Sequence, residues 1–351
     1  MPDLPHELER LTRAHSVPSA SLCVLVDGRV EALATTGAAR LSPYRQAAEE
    51  QPYDLASVTK ALVGSSITAS LLADGLLDLD APAARWVPTV DPRVRVGHLL
   101  THCSGLPPWR PLFEHTGAAW GTAEARAQVI ARACATPVAT APGDRHAYSD
   151  LGFIALLAVL EAAGEARLDQ LFAERILRPA AQHDLSWGWP EAAATELCPV
   201  RDRVVVGTVH DLNCAAMGGI STHAGLFGTA LSTARLADAF RVAVAAPEYS
   251  DLPGTALRTL WCARGPGSHC GGWDRVTRGG YTSTGEFFPD DSVGHLGYTG
   301  TSVWVVPSRR TTVALLSNRV HPSDDKAGIR ALRPAIHDAV AQHLGWDTHG
   351  A

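Results

Sequence analysis

Segments with β character lie near the two ends of this chain, and helical periodicity fills what lies between. Residues 20–27 form an apolar run that ends at Asp27-Gly28, and a second run follows from Val30 to Thr36. An Asp-Gly pair between two such runs predicts a tight hairpin. At the far end, Val303-Trp304-Val305-Val306-Pro307 and residues 311–316 read as strands joined by Ser308-Arg309-Arg310. Between them, residues 57–74 carry apolar positions at Leu62, Val63, Ile67, Leu71 and Leu72 and stop at Gly75, the pattern of a helix. Further helical stretches are expected at 122–135, 150–163, 167–178 and 232–246, with a closing helix at 325–344. Strands alone at either end have unpaired edges, so the simplest solution is one sheet made from both. The expected fold is α/β (α+β): an antiparallel sheet built from both termini, flanked by helices, with a mostly helical region inserted. Residues 1–60 and 240–351 would form the sheet region and 61–239 the helical one. No linker divides them, so they are expected to act as one catalytic unit.

Composition excludes several function classes. The 351 residues carry a formal charge of -6, and 46% are hydrophobic. That balance gives no electrostatic reason for nucleic acid or an anionic membrane to be a partner. The N-terminus is charged, with neither a signal-peptide pattern nor a membrane-spanning run. The seven cysteines are irregularly spaced, which predicts reduced thiols and a cytoplasmic location. Cys262, His269 and Cys270 could ligate a metal, but no second ligand pair follows. No metal and no organic cofactor is expected.

Lysine is scarce: Lys60 and Lys326 are the only two, and arginine supplies the remaining basic side chains. Lys60 follows Ser57 by three residues, one helical turn away on the same face. Arginine keeps its proton near neutral pH, whereas a desolvated lysine can release it. A serine paired with such an amine is the arrangement that activates a hydroxyl nucleophile. Ser57 at a helix start also fits an ordinary N-cap, and Lys60 a helix-surface lysine.

Three more segments carry a resemblance. Residues 99–107 read Leu-Leu-Thr-His-Cys-Ser-Gly-Leu-Pro, residues 142–153 Pro-Gly-Asp-Arg-His-Ala-Tyr-Ser-Asp-Leu-Gly-Phe, and residues 294–307 Gly-His-Leu-Gly-Tyr-Thr-Gly-Thr-Ser-Val-Trp-Val-Val-Pro. With Ser57-x-x-Lys60, in this order, they resemble the serine beta-lactamase and penicillin-binding-protein superfamily. The likeness is to its class C-like side, with D-alanyl peptidases, D-aminopeptidases, cell-wall amidases and esterases. It spans roughly residues 15–345.

The resemblance implies a role for each matching position. Ser57 would be the nucleophile. Lys60 would take its proton or hold Tyr148 in a basic state; which of the two is the base stays open. Tyr148 would relay a proton to the leaving group, and the backbone N–H groups of Ser57 and Tyr298 would form the oxyanion hole. Asp150 replaces the more usual asparagine and, as a carboxylate, can only accept hydrogen bonds; beside Lys60 it favours the ammonium. His295 stands where beta-lactamases have a lysine that anchors a carboxylate, which points away from beta-lactams. Gly297 would let the substrate backbone lie close to its strand. Asn213 and His223 could border the cleft or belong to loop structure, and His102 and Ser104 would brace a loop. The expected activity is a serine hydrolase that cleaves small esters or amides, including D-amino-acid or muropeptide derivatives, through a Ser57 acyl-enzyme. A true beta-lactamase or D-Ala-D-Ala carboxypeptidase, and a non-turnover penicillin-binding sensor, are the alternatives. The partner is a small-molecule ester or amide, and the oligomeric state is open.

Overall fold

The computed structural model describes residues 2–346. The chain opens with α1 (Leu4–Ala14), followed by β1 (Ser19–Val26) and β2 (Arg29–Arg40). Asp27 and Gly28 between them both take positive φ, +51° and +76°, the turn that matches the natural twist of a hairpin. β3 (Arg45–Gln46) completes the N-terminal part, and β4 (Asp274–Arg275), β5 (Val293–Leu296), β6 (Ser302–Val306) and β7 (Thr311–Ser317) come from the other end. They form one seven-stranded sheet in the order β3-β2-β1-β7-β6-β5-β4. β1 joins the two halves, pairing antiparallel with β2 on one side and with β7 on the other, where Leu22 lies opposite Leu315.

Both faces of the sheet are covered, which is why its central strands read as unbroken apolar runs. Leu22 and Val24 of β1, Trp304 and Val306 of β6, and Val313 and Leu315 of β7 pack with Leu4 and Leu8 of α1 and with α6 (Ala327–His343). Their neighbours Cys23, Leu25, Val303, Val305, Ala314 and Leu316 turn to the larger core. The period of two is the pleat itself. α5 (Ala230–Ala245) presents Ala234, Leu236, Ala237 and Phe240 to that core.

The helical region carries the site. The helix after Ser57 is a π-helix over Lys60–Ser65 before it continues as α2 (Ser66–Ala73), where sequence periodicity predicts one continuous α-helix. Two aromatic side chains press on the widened turn. The Phe153 ring lies 3.1 Å from where a Cβ on Gly64 would be, and Trp273 Nε1 donates to Ser65 Oγ at 3.0 Å. Such insertions are frequent at functional sites. α3 (Ala123–Cys134) packs beside α4 (Asp150–Gly164), which is buried almost all round. Ser149 caps α4, its Oγ accepting from Gly152 N at 3.0 Å. Among the described residues, no helix is long and apolar enough to cross a membrane.

Candidate active site

Ser57 sits at a tight turn between a short strand and the π-helix. Tyr53–Asp54 pairs with Leu226–Gly228, and the chain then bends through Ala56, whose φ of +47° is rare for a residue with a Cβ. Asp54 Oδ1 accepts from Ala56 N at 2.8 Å and its Oδ2 from His210 N at 2.6 Å. This buried carboxylate holds the strained turn in place.

Lys60 is fully buried and its Nζ donates to three acceptors: Ser57 Oγ at 2.8 Å, Asp150 Oδ1 at 2.6 Å and the carbonyl of His223 at 3.2 Å. Three donors meeting three acceptors is the pattern of an ammonium. Burial works against that charge, but Asp150 and then Tyr148 offset it, and the pKa of Lys60 is raised. The Tyr148 ring centroid lies 4.8 Å from Nζ. Burial raises the phenol pKa as well, against the lowering influence of Lys60 and of hydrogen bonding to Lys60 and Ser57. The phenol thus faces both Lys60 and Ser57. The resting pair therefore holds its protons at neutral pH.

The second wall comes from β5 and the loop after it. Thr299 Oγ1 donates to the carbonyl of Asp54 at 2.6 Å and Thr301 Oγ1 to that of Leu55 at 2.9 Å. These two bonds tie Tyr298 to the strand that leads into Ser57. Among the described residues, neither the Ser57 nor the Tyr298 backbone N–H has a protein acceptor. The fold itself requires glycine at 297. A Cβ there would stand 2.0 Å from Thr301 Oγ1 and 2.5 Å from the carbonyl of Leu55.

His295 is buried and its Nδ1 pairs with the carbonyl of Leu296 at 2.8 Å. Burial first, then the nearby His269 and Lys60, push its pKa well down, so it stays neutral. His223 lines the cleft: its ring bridges Asp211 (2.9 Å) and Ser221 (2.8 Å). Asn213 does not border it. It is fully buried, with Oδ1 accepting from Phe113 N and Nδ2 donating to the carbonyl of Arg110, and so it belongs to loop structure. His102 accepts at Nδ1 from Ser149 N at 3.0 Å and its ring lies 4.3 Å from that of Tyr148, bracing the segment that carries Tyr148 and Asp150. Ser104 Oγ accepts from Leu106 N within the same loop.

Two clefts meet at Ser57 and Tyr148, and they differ in charge. One, of about 370 Å³, is walled by Arg319, Lys326, Arg330 and Arg333, with Asp274 also in its lining. The other, of about 580 Å³, is lined by Asp150, Glu196 and Asp211 beside the apolar Trp109, and each acid there has a basic partner, Lys60, His210 and His223 in turn. The basic wall was missed in the sequence, although Lys326, Arg330 and Arg333 recur at the spacing of one helix face. Also missed was a histidine cluster. One ring nitrogen from each of His102, His269 and His295 lies within 4.8 Å of the others. Cys262 is exposed and Cys270 buried, with burial pushing the Cys270 thiol up to about 12.

The model of the Beta-lactamase family matches residues 6–336. A curated protein of Escherichia coli (strain K12), provisionally named D-alanyl-D-alanine carboxypeptidase, is 27% identical, covering 87% of this chain and 79% of its own. Among solved structures, the hydrolase EstCE1, described as having promiscuous acyltransferase activity, superposes with a TM-score of 0.75 at 19% identity, covering 96% of this chain and 98% of its own. An octameric penicillin-binding protein homologue from Pyrococcus abyssi gives a TM-score of 0.72 at 20% identity, covering 97% of this chain and 76% of its own. At such identities these two share the fold. With a family model matched over nearly its whole length, and with the sheet and helices of these relatives, the chain belongs to the beta-lactamase family of hydrolases.

Proposed function

We propose that the protein is a serine hydrolase that cleaves small esters or amides through an acyl-enzyme on Ser57. The carrying observation is the 2.8 Å contact between Lys60 Nζ and Ser57 Oγ, placed where two substrate-sized clefts meet. The competent enzyme is the form in which the Lys60–Tyr148 pair has lost one proton. Ser57 Oγ attacks the carbonyl carbon and its proton passes to that pair. The oxyanion is received by the Ser57 and Tyr298 N–H groups. As the carbon–oxygen or carbon–nitrogen bond breaks, the leaving group takes the proton back from Tyr148. Water then repeats the sequence in reverse and releases the acid.

The basic wall supports substrates that carry a carboxylate, placed towards Arg330 and Lys326. D-amino-acid and muropeptide derivatives have this form. The E. coli relative's name points the same way, while the neutral His295 speaks against a beta-lactamase. A reducing, cytoplasmic setting belongs to the same proposal, supported by the burial of six of the seven thiols. Intact-protein mass spectrometry after exposure to p-nitrophenyl esters, D-dipeptides and penicillins tests the reading. An acyl adduct that forms on wild type, is absent from Ser57→Ala and disappears with time is expected. Labelling that survives Ser57→Ala refutes it. An adduct from penicillin alone that never leaves favours a sensor.

A further inference from the structure

We propose that His102, His269 and His295 form a binding site for a divalent transition metal of the zinc class, and that occupying it switches the hydrolase off. The three come from separate segments and converge behind Tyr148, with His269 and His295 also lining the basic cleft. In His102 and His295 the nitrogen without a protein partner is Nε2, buried in both rings. A buried polar atom without a partner is costly and calls for a ligand. An all-imidazole set selects zinc, copper or nickel over magnesium or calcium.

The outer contacts sort the three rings. A ligating histidine donates its other N–H to an acceptor behind it. His295 does so through Nδ1 to the carbonyl of Leu296. His269 Nδ1 lies 3.0 Å from His146 Nε2 and 3.9 Å from Asp274 Oδ1, so a proton on Nδ1 has an acceptor behind it when Nε2 takes the metal. His102 is the opposite case. Its Nδ1 accepts from Ser149 N, which puts its proton on Nε2. To bind a metal there, it must move that proton to Nδ1, where it would oppose the Ser149 N–H. The bond then breaks, and with it the brace on the segment that carries Tyr148 and Asp150. The rings must also draw together, since tetrahedral zinc with bonds of about 2.0–2.1 Å needs nitrogens roughly 3.4 Å apart. Lys60 opposes the incoming cation and Asp274 favours it. Metal occupancy and an aligned Tyr148 are thus alternatives. The site stands apart from the hydrolase reading; only the switch rests on it.

The test uses untagged full-length protein, stripped of metal and titrated with Co²⁺ and then Zn²⁺. Visible absorption reports the site, and hydrolysis of p-nitrophenyl acetate reports activity. One Co²⁺ per chain with the spectrum of a nitrogen-ligated tetrahedral ion is expected. Zinc should displace it and lower activity at least tenfold, and EDTA should restore that activity. Cys262→Ser should leave the spectrum intact, and His269→Ala should abolish it; His295→Gln substitutes if His269→Ala fails to fold. Absence of stoichiometric binding, a thiolate charge-transfer band, or binding that survives the histidine substitutions overturns the site. Binding with unchanged activity overturns the switch. Metal-free wild type with no esterase or amidase activity would instead overturn the hydrolase reading and leave the site standing.

Discussion

Lys60 Nζ lies 2.6 Å from Asp150 Oδ1, and the lysine side chain has no exposure to solvent. A buried ion pair of this kind stabilises the protonated amine, so the pair sets the pH at which a base becomes available. Asp150 raises the pKa of both Lys60 and Tyr148. The Asp150→Asn substitution should therefore shift the rising limb of the kcat/KM profile to lower pH. A profile measured with p-nitrophenyl acetate that stays in place would show that the pair does not supply the base.

Charge alone does not serve at position 60. Lys60→Arg should lose as much activity as Lys60→Ala, roughly 10²–10⁴-fold, because guanidinium cannot release its proton. Steady-state rates of the two purified variants, compared at equal thermal stability, check this.

Gly297 shares its space with Thr301 and the carbonyl of Leu55. Gly297→Ala should push the β5 wall away from Ser57 and lower kcat far more than it raises KM. An unchanged kcat would mean that the wall yields without disturbing the oxyanion donors.

Lys326 is exposed at the start of α6 and faces the basic cleft. Lys326→Glu should raise KM roughly tenfold for an anionic substrate and leave a neutral ester nearly unaffected. Equal effects on both would contradict a carboxylate in that cleft.

His337 is fully buried beside Phe288, and burial lowers its pKa to about 4. Unfolded, it titrates near 6.5. Between these values the unfolded chain binds the extra proton, so the stability His337 contributes is complete above about pH 6.5 and is lost as the pH falls towards 4. Thermal melts across this range should fall with pH, and His337→Gln should make that slope shallower by one proton's share.

Much of the site was legible because its chemistry is local. Three residues of spacing place Ser57 against Lys60, and the helical stretch read at 150–163 places Asp150 at the head of α4. The hairpin at Asp27-Gly28 was readable because only certain residues tolerate positive φ. α1 went unread although Leu4, Leu8 and Leu11 lie on one face, since its charged residues dominate a linear reading. The histidine cluster left no linear trace: His102, His269 and His295 come from different segments, and only the packed fold brings them together. Asn213 was ambiguous for a related reason, because nothing in a turn-rich segment tells which loop its amide will hold.

β1 lies between β2 and β7, and Tyr298 hangs from the same late part of the chain. A ribosome therefore delivers the serine long before it delivers the strands that complete its surroundings. On the proposed mechanism the oxyanion donor at Tyr298 is missing until those final segments dock, so the nascent chain would carry an incomplete site throughout synthesis.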